Sequence, residues 1–222
     1  MPGSSSSGSF EYAVLPGAGS AGLVWKEVAA ALGARVLPLP DADSVPAMAE
    51  ALMSSLDPGT VLVGASAGAM VALEVARRRP VPALVLLAAG FGIEVGDSFL
   101  AWVEAAPADL FPKMARASIA DRSASELQSV AVADFEARGP RLVARHLRAL
   151  REYRPEPLAD PPPTAVIWGT LDHSVPLADH AELAARCRGI VIPVPDAGHM
   201  PFLERPQETV RWIREFVEWR LR

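Results

Sequence analysis

The segment at residues 64–68, GASAG, places the hydroxyl of Ser66 between small residues. It follows the continuous apolar run TVLV and precedes a stretch of helical periodicity. A sharp strand-to-helix turn of this kind holds the serine in a strained backbone conformation with its hydroxyl above the sheet. The flanking glycines let strand and helix approach each other closely. The pattern therefore favours a nucleophilic serine, and the alternative is a glycine-rich turn used only for packing.

A serine hydroxyl becomes nucleophilic when a base accepts its proton and an acid orients that base. Asp172 lies in WGTLDHSVP, directly after the apolar run TAVIWG, and His199 lies in PDAGHMPFLERP, directly after GIVIPVP. Ser66, Asp172 and His199 thus each follow a predicted parallel strand. Because the carboxyl ends of parallel strands meet at one edge of the sheet, we expect the three side chains to converge there.

A second motif competes with this interpretation. Residues 17–22, GAGSAG, match the dinucleotide-binding pattern G-x-G-x-x-G between a predicted strand and a predicted helix, and Asp41 and Asp43 follow about 20 positions later. However, Pro16 and Trp25 place rigidity and bulk where a pyrophosphate turn favours small residues. The nucleotide hypothesis also leaves the serine, aspartate and histidine unexplained, but it stays open as an alternative.

The remaining histidines and the single cysteine have structural interpretations. His173 is expected in a loop, His180 on the exposed face of a helix and His146 on a helix surface, while Cys187 is expected to be buried and inert. Asp172, His173 and His180 together suggest a metal site, but no helical or strand spacing focuses them. We therefore expect neither a metal nor any other cofactor.

The elements that must position these residues alternate along the chain. Short apolar runs of strand length alternate with amphipathic runs of helical length, as in a parallel sheet covered by helices on both faces. We expect a flexible tail at residues 1–9 and a single α/β domain at residues 10–222. The predicted strands are residues 10–16, 35–40, 60–66, 83–90, 164–169 and 189–195, and the predicted helices are residues 21–32, 44–56, 67–79, 177–187 and 206–221.

The alternation stops at residues 91–163, which contain helical stretches near 98–105, 123–137 and 141–153 but no convincing buried strand. This segment is richer in large apolar residues than a solvated linker. It is predicted either to seal against the body of the protein or to form a small helical cap over an apolar pocket. The predicted pocket residues, from the segment and from beside the catalytic loops, are Met70, Phe91, Trp102, Phe135 and Met200.

Composition excludes several classes of protein. The 222 residues are 50% hydrophobic and 21% charged, with a net charge of −5 and no extended basic stretch, so nucleic acid is not an expected partner. One cysteine excludes an intrachain disulfide. Neither a bilayer-spanning apolar run nor a secretory leader is present, so we expect a cytoplasmic protein without a membrane partner. The expected partner is a small-molecule substrate, and the oligomeric state cannot be inferred from sequence.

The elbow GASAG, the segment WGTLDHSVP and the terminal DAGHMPFLERP, in the order Ser, Asp, His, resemble the α/β-hydrolase superfamily over nearly the whole chain from Phe10. The resemblance implies the three-layer α/β-hydrolase fold. It also implies that Ser66 is the nucleophile, that His199 is the general base and then acid, and that Asp172 orients it. Because little chain precedes Phe10, we expect about six strands rather than the usual eight.

The loop after the first strand departs from the family pattern. The family usually has a His-Gly pair there, whereas this chain has Pro16-Gly17. We expect the backbone N–H groups of Ala18 and Ala67 to form the oxyanion hole, with Gly19 as a less favoured substitute for Ala18. The orienting histidine of the pair is missing, which keeps a non-catalytic protein of this fold open as an alternative.

These features predict a serine hydrolase that cleaves a small, largely apolar ester or thioester through an acyl-enzyme. Hydrolysis of an amide or carbon–carbon bond, or acyl transfer, would use the same residues. A superfold of this kind hosts many functions, so a non-catalytic ligand-binding module is a further alternative, beside the dinucleotide-binding protein.

Overall fold

The computed structural model describes residues 10–222, so the predicted tail at residues 1–9 lies outside the described part of the chain. Six parallel strands form one sheet in the order β2-β1-β3-β4-β5-β6. This arrangement confirms the predicted α/β class and the six-stranded sheet. The strands are β1 (Glu11–Leu15), β2 (Arg35–Val36), β3 (Thr60–Ala65), β4 (Leu84–Leu87), β5 (Thr164–Gly169) and β6 (Ile190–Val194).

Burial explains the composition of the strands. Every residue of the central strands β3 and β4 is buried, as expected for continuous apolar runs in a parallel sheet that is covered by helices. Strand β6 tolerates Pro193 because it lies at an edge of the sheet. Strand β2 is shorter than the predicted residues 35–40, since Pro38 and Pro40 have no N–H to continue a ladder.

The helices follow local signals. Ser44 accepts a hydrogen bond from the N–H of Ala47 at 3.2 Å and begins α2, and Gly33, with a φ of 65°, ends α1. A single 3-10 turn at Leu23–Trp25 precedes α1. Outside the segment at residues 91–163 the helices are α1 (Lys26–Leu32), α2 (Val45–Met53), α3 (Ala67–Arg78), α8 (Leu177–Arg186), α9 (Pro201–Glu204) and α10 (Pro206–Leu221).

Four helices lie between β4 and β5: α4 (Asp97–Ala105), α5 (Leu110–Ser118), α6 (Ser125–Glu136) and α7 (Pro140–Glu152). The sequence pattern predicted three of them and missed α5, which contains Pro112 as its third residue. Proline is tolerated there because the first turn of a helix leaves its N–H groups unpaired. The four-residue helix α9 was also missed, since one turn carries no periodicity.

The parallel topology brings the loops after the strands to one edge of the sheet. The loops that follow β1 and β3 are neighbours, and so are the loops that follow β5 and β6. Helix α3 packs on β1, β3 and β4, and α8 packs on β5 and β6. None of the helices within residues 10–222 combines the length and apolarity that crossing a bilayer requires.

Candidate active site

The turn between β3 and α3 holds Ser66 at φ 51° and ψ −117°, a conformation that L-residues rarely adopt. The N–H of Ser66 donates to the carbonyl of Leu87 at 2.9 Å. A Cβ on Gly64 would lie 2.5 Å from the carbonyl oxygen of Gly68, and a Cβ on Gly68 would lie 1.9 Å from that of Leu15. The predicted close approach is confirmed, because neither glycine can carry a side chain without moving backbone.

Asp172 and His199, from the neighbouring loops after β5 and β6, form a hydrogen-bonded pair. His199 Nδ1 lies 2.9 Å from Asp172 Oδ2, and the carboxylate also accepts the N–H groups of Ser174 and Val175 at 2.8 and 3.1 Å. Burial by itself raises the pKa of Asp172, but these bonds and the attraction of His199 hold its pKa below the usual range. Since a carboxylate only accepts, the proton lies on Nδ1, and Nε2 of the neutral ring is an acceptor.

The loop that carries His199 is held by a carboxylate that the sequence analysis missed. Glu204, buried in α9, accepts the N–H groups of Gly198 and Met200 at 2.9 and 3.3 Å and that of Ala120 at 2.7 Å. Burial, the largest influence, raises the pKa of this carboxyl despite its three donors. An acidic residue among apolar ones five positions after the histidine was the available signal.

Two backbone N–H groups close to the serine are unengaged. Within residues 10–222, the N–H groups of Ala18 and Ala67 have no hydrogen-bond acceptor, and Ala67 is the first residue of α3. The less favoured prediction, that the N–H of Gly19 replaces that of Ala18 in the oxyanion hole, is wrong, because the N–H of Gly19 donates to Nδ1 of the buried His146 at 3.0 Å. Ala18 and Ala67 are therefore the available donors for an oxyanion.

The glycines of GAGSAG are explained by contacts within the protein. A Cβ on Gly19 would lie 2.2 Å from a methyl group of Val143, and a Cβ on Gly22 would lie 2.4 Å from a methyl group of Val36. Several of the N–H groups that would bind a pyrophosphate donate instead to protein side chains. Gly19, Gly22 and Leu23 donate to His146, Ser20 and Asp134, respectively. This geometry contradicts the dinucleotide alternative.

The acidic residues of that alternative are also engaged. Asp41 and Asp43 form exposed ion pairs with Arg145 at 2.7 and 2.6 Å, so Arg145 would compete with a ribose for both carboxylates. In the described part of the chain, His, Cys, Asp and Glu side chains form no group of three that could hold a metal ion.

A cavity of about 610 Å³ opens above the sheet edge and is lined by Ala18, Ser66 and His199. Of the predicted pocket residues, Trp102, Phe135 and Met200 also line it. Within residues 10–222 no hydrogen bond joins Ser66 to His199, and such bonds often form only when substrate binds.

Two predicted pocket residues lie elsewhere. Met70 is fully buried in α3 and packs in the core beneath the sheet edge. Phe91 lies under the guanidinium of Arg186, with 5.3 Å between the ring centroid and Cζ. Neither lines the cavity, because α3 turns Met70 into the core and the chain after β4 turns Phe91 towards α8.

Burial of the other histidines partly contradicts the predictions. His146 and His180 are fully buried, not on helix surfaces, whereas His173 lies in a loop as expected and is exposed. His146 lies on the apolar face of α7, at helical spacing from Val143 and Leu150, which was the missed signal. Cys187 is buried as predicted, and burial raises the pKa of its thiol to about 11, so it carries no reactive thiolate.

Comparison with known proteins agrees with this architecture. An esterase from Thermogutta terrifontis with malate bound has a TM-score of 0.81 and 22% identity, over 96% of this chain and 91% of that one. The enol-lactonase from Burkholderia xenovorans LB400 has a TM-score of 0.79 and 17% identity, over 94% and 91%. A hydrolase from Oleispira antarctica has a TM-score of 0.80 and 11% identity, over 94% and 90%.

Searching the curated proteins with this sequence gives no significant match. At these low identities the solved structures establish the fold alone. The sequence of residues 13–212, however, matches the family described as "Alpha/beta hydrolase family". This match spans most of the chain and includes the serine, aspartate and histidine described above. The chain belongs to the alpha/beta hydrolase family.

Proposed function

We propose that this member of the family is a serine hydrolase that cleaves small, largely apolar esters or thioesters through an acyl-enzyme. The observation that carries the proposal is the oriented Asp172–His199 pair, whose free Nε2 shares a cavity with the strained Ser66. A nucleophile, an oriented base and two unengaged N–H groups are the components of acyl transfer.

In the first half of the reaction, Ser66 Oγ attacks the substrate carbonyl while its proton passes to His199 Nε2. Asp172 stabilises the imidazolium that forms, and the N–H groups of Ala18 and Ala67 bind the negative oxygen of the tetrahedral intermediate. The intermediate collapses when the leaving alcohol or thiol takes the proton from Nε2. Water then attacks the acyl-serine by the same steps and releases the acid.

The cavity supports a compact apolar substrate. Its volume of about 610 Å³ lies within the usual range of about 300–1,000 Å³ for small-molecule sites. Aromatic and aliphatic side chains form most of the wall, and helices α4 to α7 contribute many of them, which supports the cap hypothesis for residues 91–163. Phe99, Trp102, Met114, Phe135 and Leu147 are examples from these helices, and Trp25 of the 3-10 turn before α1 is a further wall residue. Among the similar structures are esterases and an enol-lactonase, which favours an ester-type bond.

The test is covalent labelling with a fluorophosphonate, whose phosphorus mimics the tetrahedral intermediate. We expect one adduct per chain, on Ser66, by intact-mass and peptide analysis. Labelling should be absent in Ser66→Ala and slow in Asp172→Asn, which keeps the shape of the carboxyl but cannot orient the imidazole in the same tautomer. Cys187→Ser is the matched control and should label like the wild type.

Turnover of a series of simple esters and thioesters then defines the bond that is cleaved. Hydrolysis abolished by Ser66→Ala would support the proposal, and acyl transfer to an added alcohol would identify a transferase on the same residues. A wild-type chain that neither labels nor hydrolyses, yet binds an apolar ligand stoichiometrically, would refute the proposal in favour of a non-catalytic module.

A further inference from the structure

The loop between β1 and α1 is held in place from helix α7. The N–H of Gly19 donates to His146 Nδ1 at 3.0 Å, and His146 Nε2 lies 2.9 Å from the carbonyl oxygen of Pro40. Since a carbonyl only accepts, Nε2 carries the proton and Nδ1 is the acceptor for Gly19. The buried imidazole is therefore neutral, in one tautomer, and bridges the loops that follow β1 and β2.

The hydrogen bond acts on the turn that contains Ala18. The N–H of Ser20 donates to the carbonyl of Gly17 at 3.2 Å, which closes a four-residue turn. Gly19 occupies the third position with a φ of 65°, as a type II turn requires. Ala18 and Gly19 share a peptide plane, so fixing the Gly19 N–H restricts the turn that carries Ala18, a residue of the cavity wall.

Packing by the same helix reinforces this restraint. Val143, one turn before His146, occupies the space where a Cβ of Gly19 would lie, so the turn rests directly on α7. On its far side the loop is held by a second helix of the same insertion, where Asp134 of α6 accepts the N–H of Leu23 at 2.5 Å. The insertion thus contacts the loop at Gly19 and again at Leu23, directly after GAGSAG.

We propose that His146 is a positioning residue for the oxyanion hole: through Gly19 it fixes the direction of the Ala18 N–H. The inference rests on the proposed function, because it assumes that Ala18 binds the oxyanion. In this chain a histidine from the insertion orients a loop that has Pro16-Gly17 where the family usually has His-Gly. The insertion would then contribute to transition-state stabilisation as well as to the substrate cavity.

Two isosteric substitutions separate the two hydrogen bonds of the ring. In His146→Asn the amide oxygen can take the place of Nδ1 and accept from Gly19, but nothing reaches Pro40. In His146→Gln the longer amide can reach Pro40, but nothing accepts from Gly19. Each variant removes one hydrogen bond from the same buried site, so we expect the two variants to have similar Tm values. Comparing the Tm values checks that the variants are equally stable.

We expect kcat for an activated ester to fall about ten- to a hundredfold in His146→Gln, with KM changed less than about twofold, because removal of one oxyanion donor costs about 10²–10³ in kcat. His146→Asn should retain most of kcat. Arg148→Ala, an exposed change on the same helix, is the control for general disturbance of α7 and should match the wild type. Equal losses in the Asn and Gln variants would overturn the inference and leave a structural role only.

The outcomes for the proposed function are distinct. Wild-type turnover combined with an unaffected Gln variant overturns the role of His146 and leaves the hydrolase proposal standing, whereas absence of wild-type turnover and of labelling overturns both. Should neither variant fold, nitrogen NMR of the wild type decides. A scalar coupling between the Gly19 amide nitrogen and His146 Nδ1 is expected across the hydrogen bond, and a proton on Nδ1 would overturn the inference.

Discussion

The backbone strain at Ser66 should be measurable as lost stability. Residues held in rarely populated φ/ψ regions cost about 1–3 kcal/mol each, and Ser66 is held at φ 51° and ψ −117°. Glycine populates positive φ without that cost. The informative comparison is between Ser66→Gly and Ser66→Ala, since both variants lack Oγ and only alanine retains the Cβ that makes the conformation unfavourable.

The expected difference in the free energy of unfolding is the strain energy minus the entropic cost of ordering the more flexible glycine when the chain folds. That entropy normally makes glycine less favourable than alanine by about 0.5–1 kcal/mol. With strain of about 1–3 kcal/mol, Ser66→Gly should be up to about 2.5 kcal/mol more stable than Ser66→Ala. For a chain of this size the upper figure corresponds to a Tm about 5–10 °C higher.

The assay is thermal and urea unfolding of both variants, with fluorophosphonate labelling to verify that neither carries the proposed reactive serine. At an ordinary position the alanine variant is the more stable by about 0.5–1 kcal/mol, so the strain is the measured difference plus that amount. A Ser66→Ala protein more stable than Ser66→Gly by this ordinary margin would mean that the elbow stores no strain. A positive result would show that the protein keeps this turn at a cost in stability.

Three further results are expected. Glu204→Gln leaves one accepting oxygen for three N–H donors, so it should lower the free energy of unfolding by about 1–3 kcal/mol and reduce kcat by displacing the His199 loop; unchanged urea unfolding would contradict this role. Because the fold depresses the pKa of Asp172, its ionised form contributes stability that is present above the unfolded pKa, about 3.9, and is lost as the pH falls below it. The stability of the wild type relative to Asp172→Asn should therefore decline below about pH 4 in urea unfolding across pH 3–7, and parallel curves would contradict the assignment. Trp102→Ala should lower kcat/KM for long acyl esters more than for acetyl esters, and equal losses would mean that the wall position does not contact the acyl chain.

Besides lining the cavity, the insertion helices are hydrogen-bonded to two loops of the candidate site. The N–H of His199 donates to the carbonyl of Ser118 in α5 at 2.8 Å, and the turn of Ala18 is bonded to His146 in α7. Both loops thus take part of their conformation from the segment that the sequence marks as an interruption of the alternating pattern. Deleting the insertion would change the geometry of the site as well as the size of the cavity.

Several features were predictable from the sequence because their causes are local. Alternating apolar runs predicted a parallel sheet, and the structure has six parallel strands. The glycines around Ser66 predicted a close strand–helix approach, which the short Cβ distances confirm. The expected convergence of Asp172 and His199 followed from parallel strands ending at one edge, and the 2.9 Å contact agrees with it. The catalytic roles of the three residues stay a prediction.

Other features depended on contacts between distant parts of the chain. Burial of His146 and His180 required knowing which face of each helix meets the body of the protein. Met70 and Phe91 likewise do not line the cavity. The sequence could not show this, because the type of a side chain does not say in which direction its helix or loop turns it.

The sequence by itself determined the class of fold and the order of the chemically competent residues, because period, capping and glycine placement act over a few neighbouring positions. Only the tertiary structure decided what fixes the loops around them. His146 and Glu204 bind backbone N–H groups, which every residue except proline carries, so no side chain in the sequence marks their partners. Gly19 and His146 lie 127 positions apart and meet only because α7 packs against the loop that follows β1.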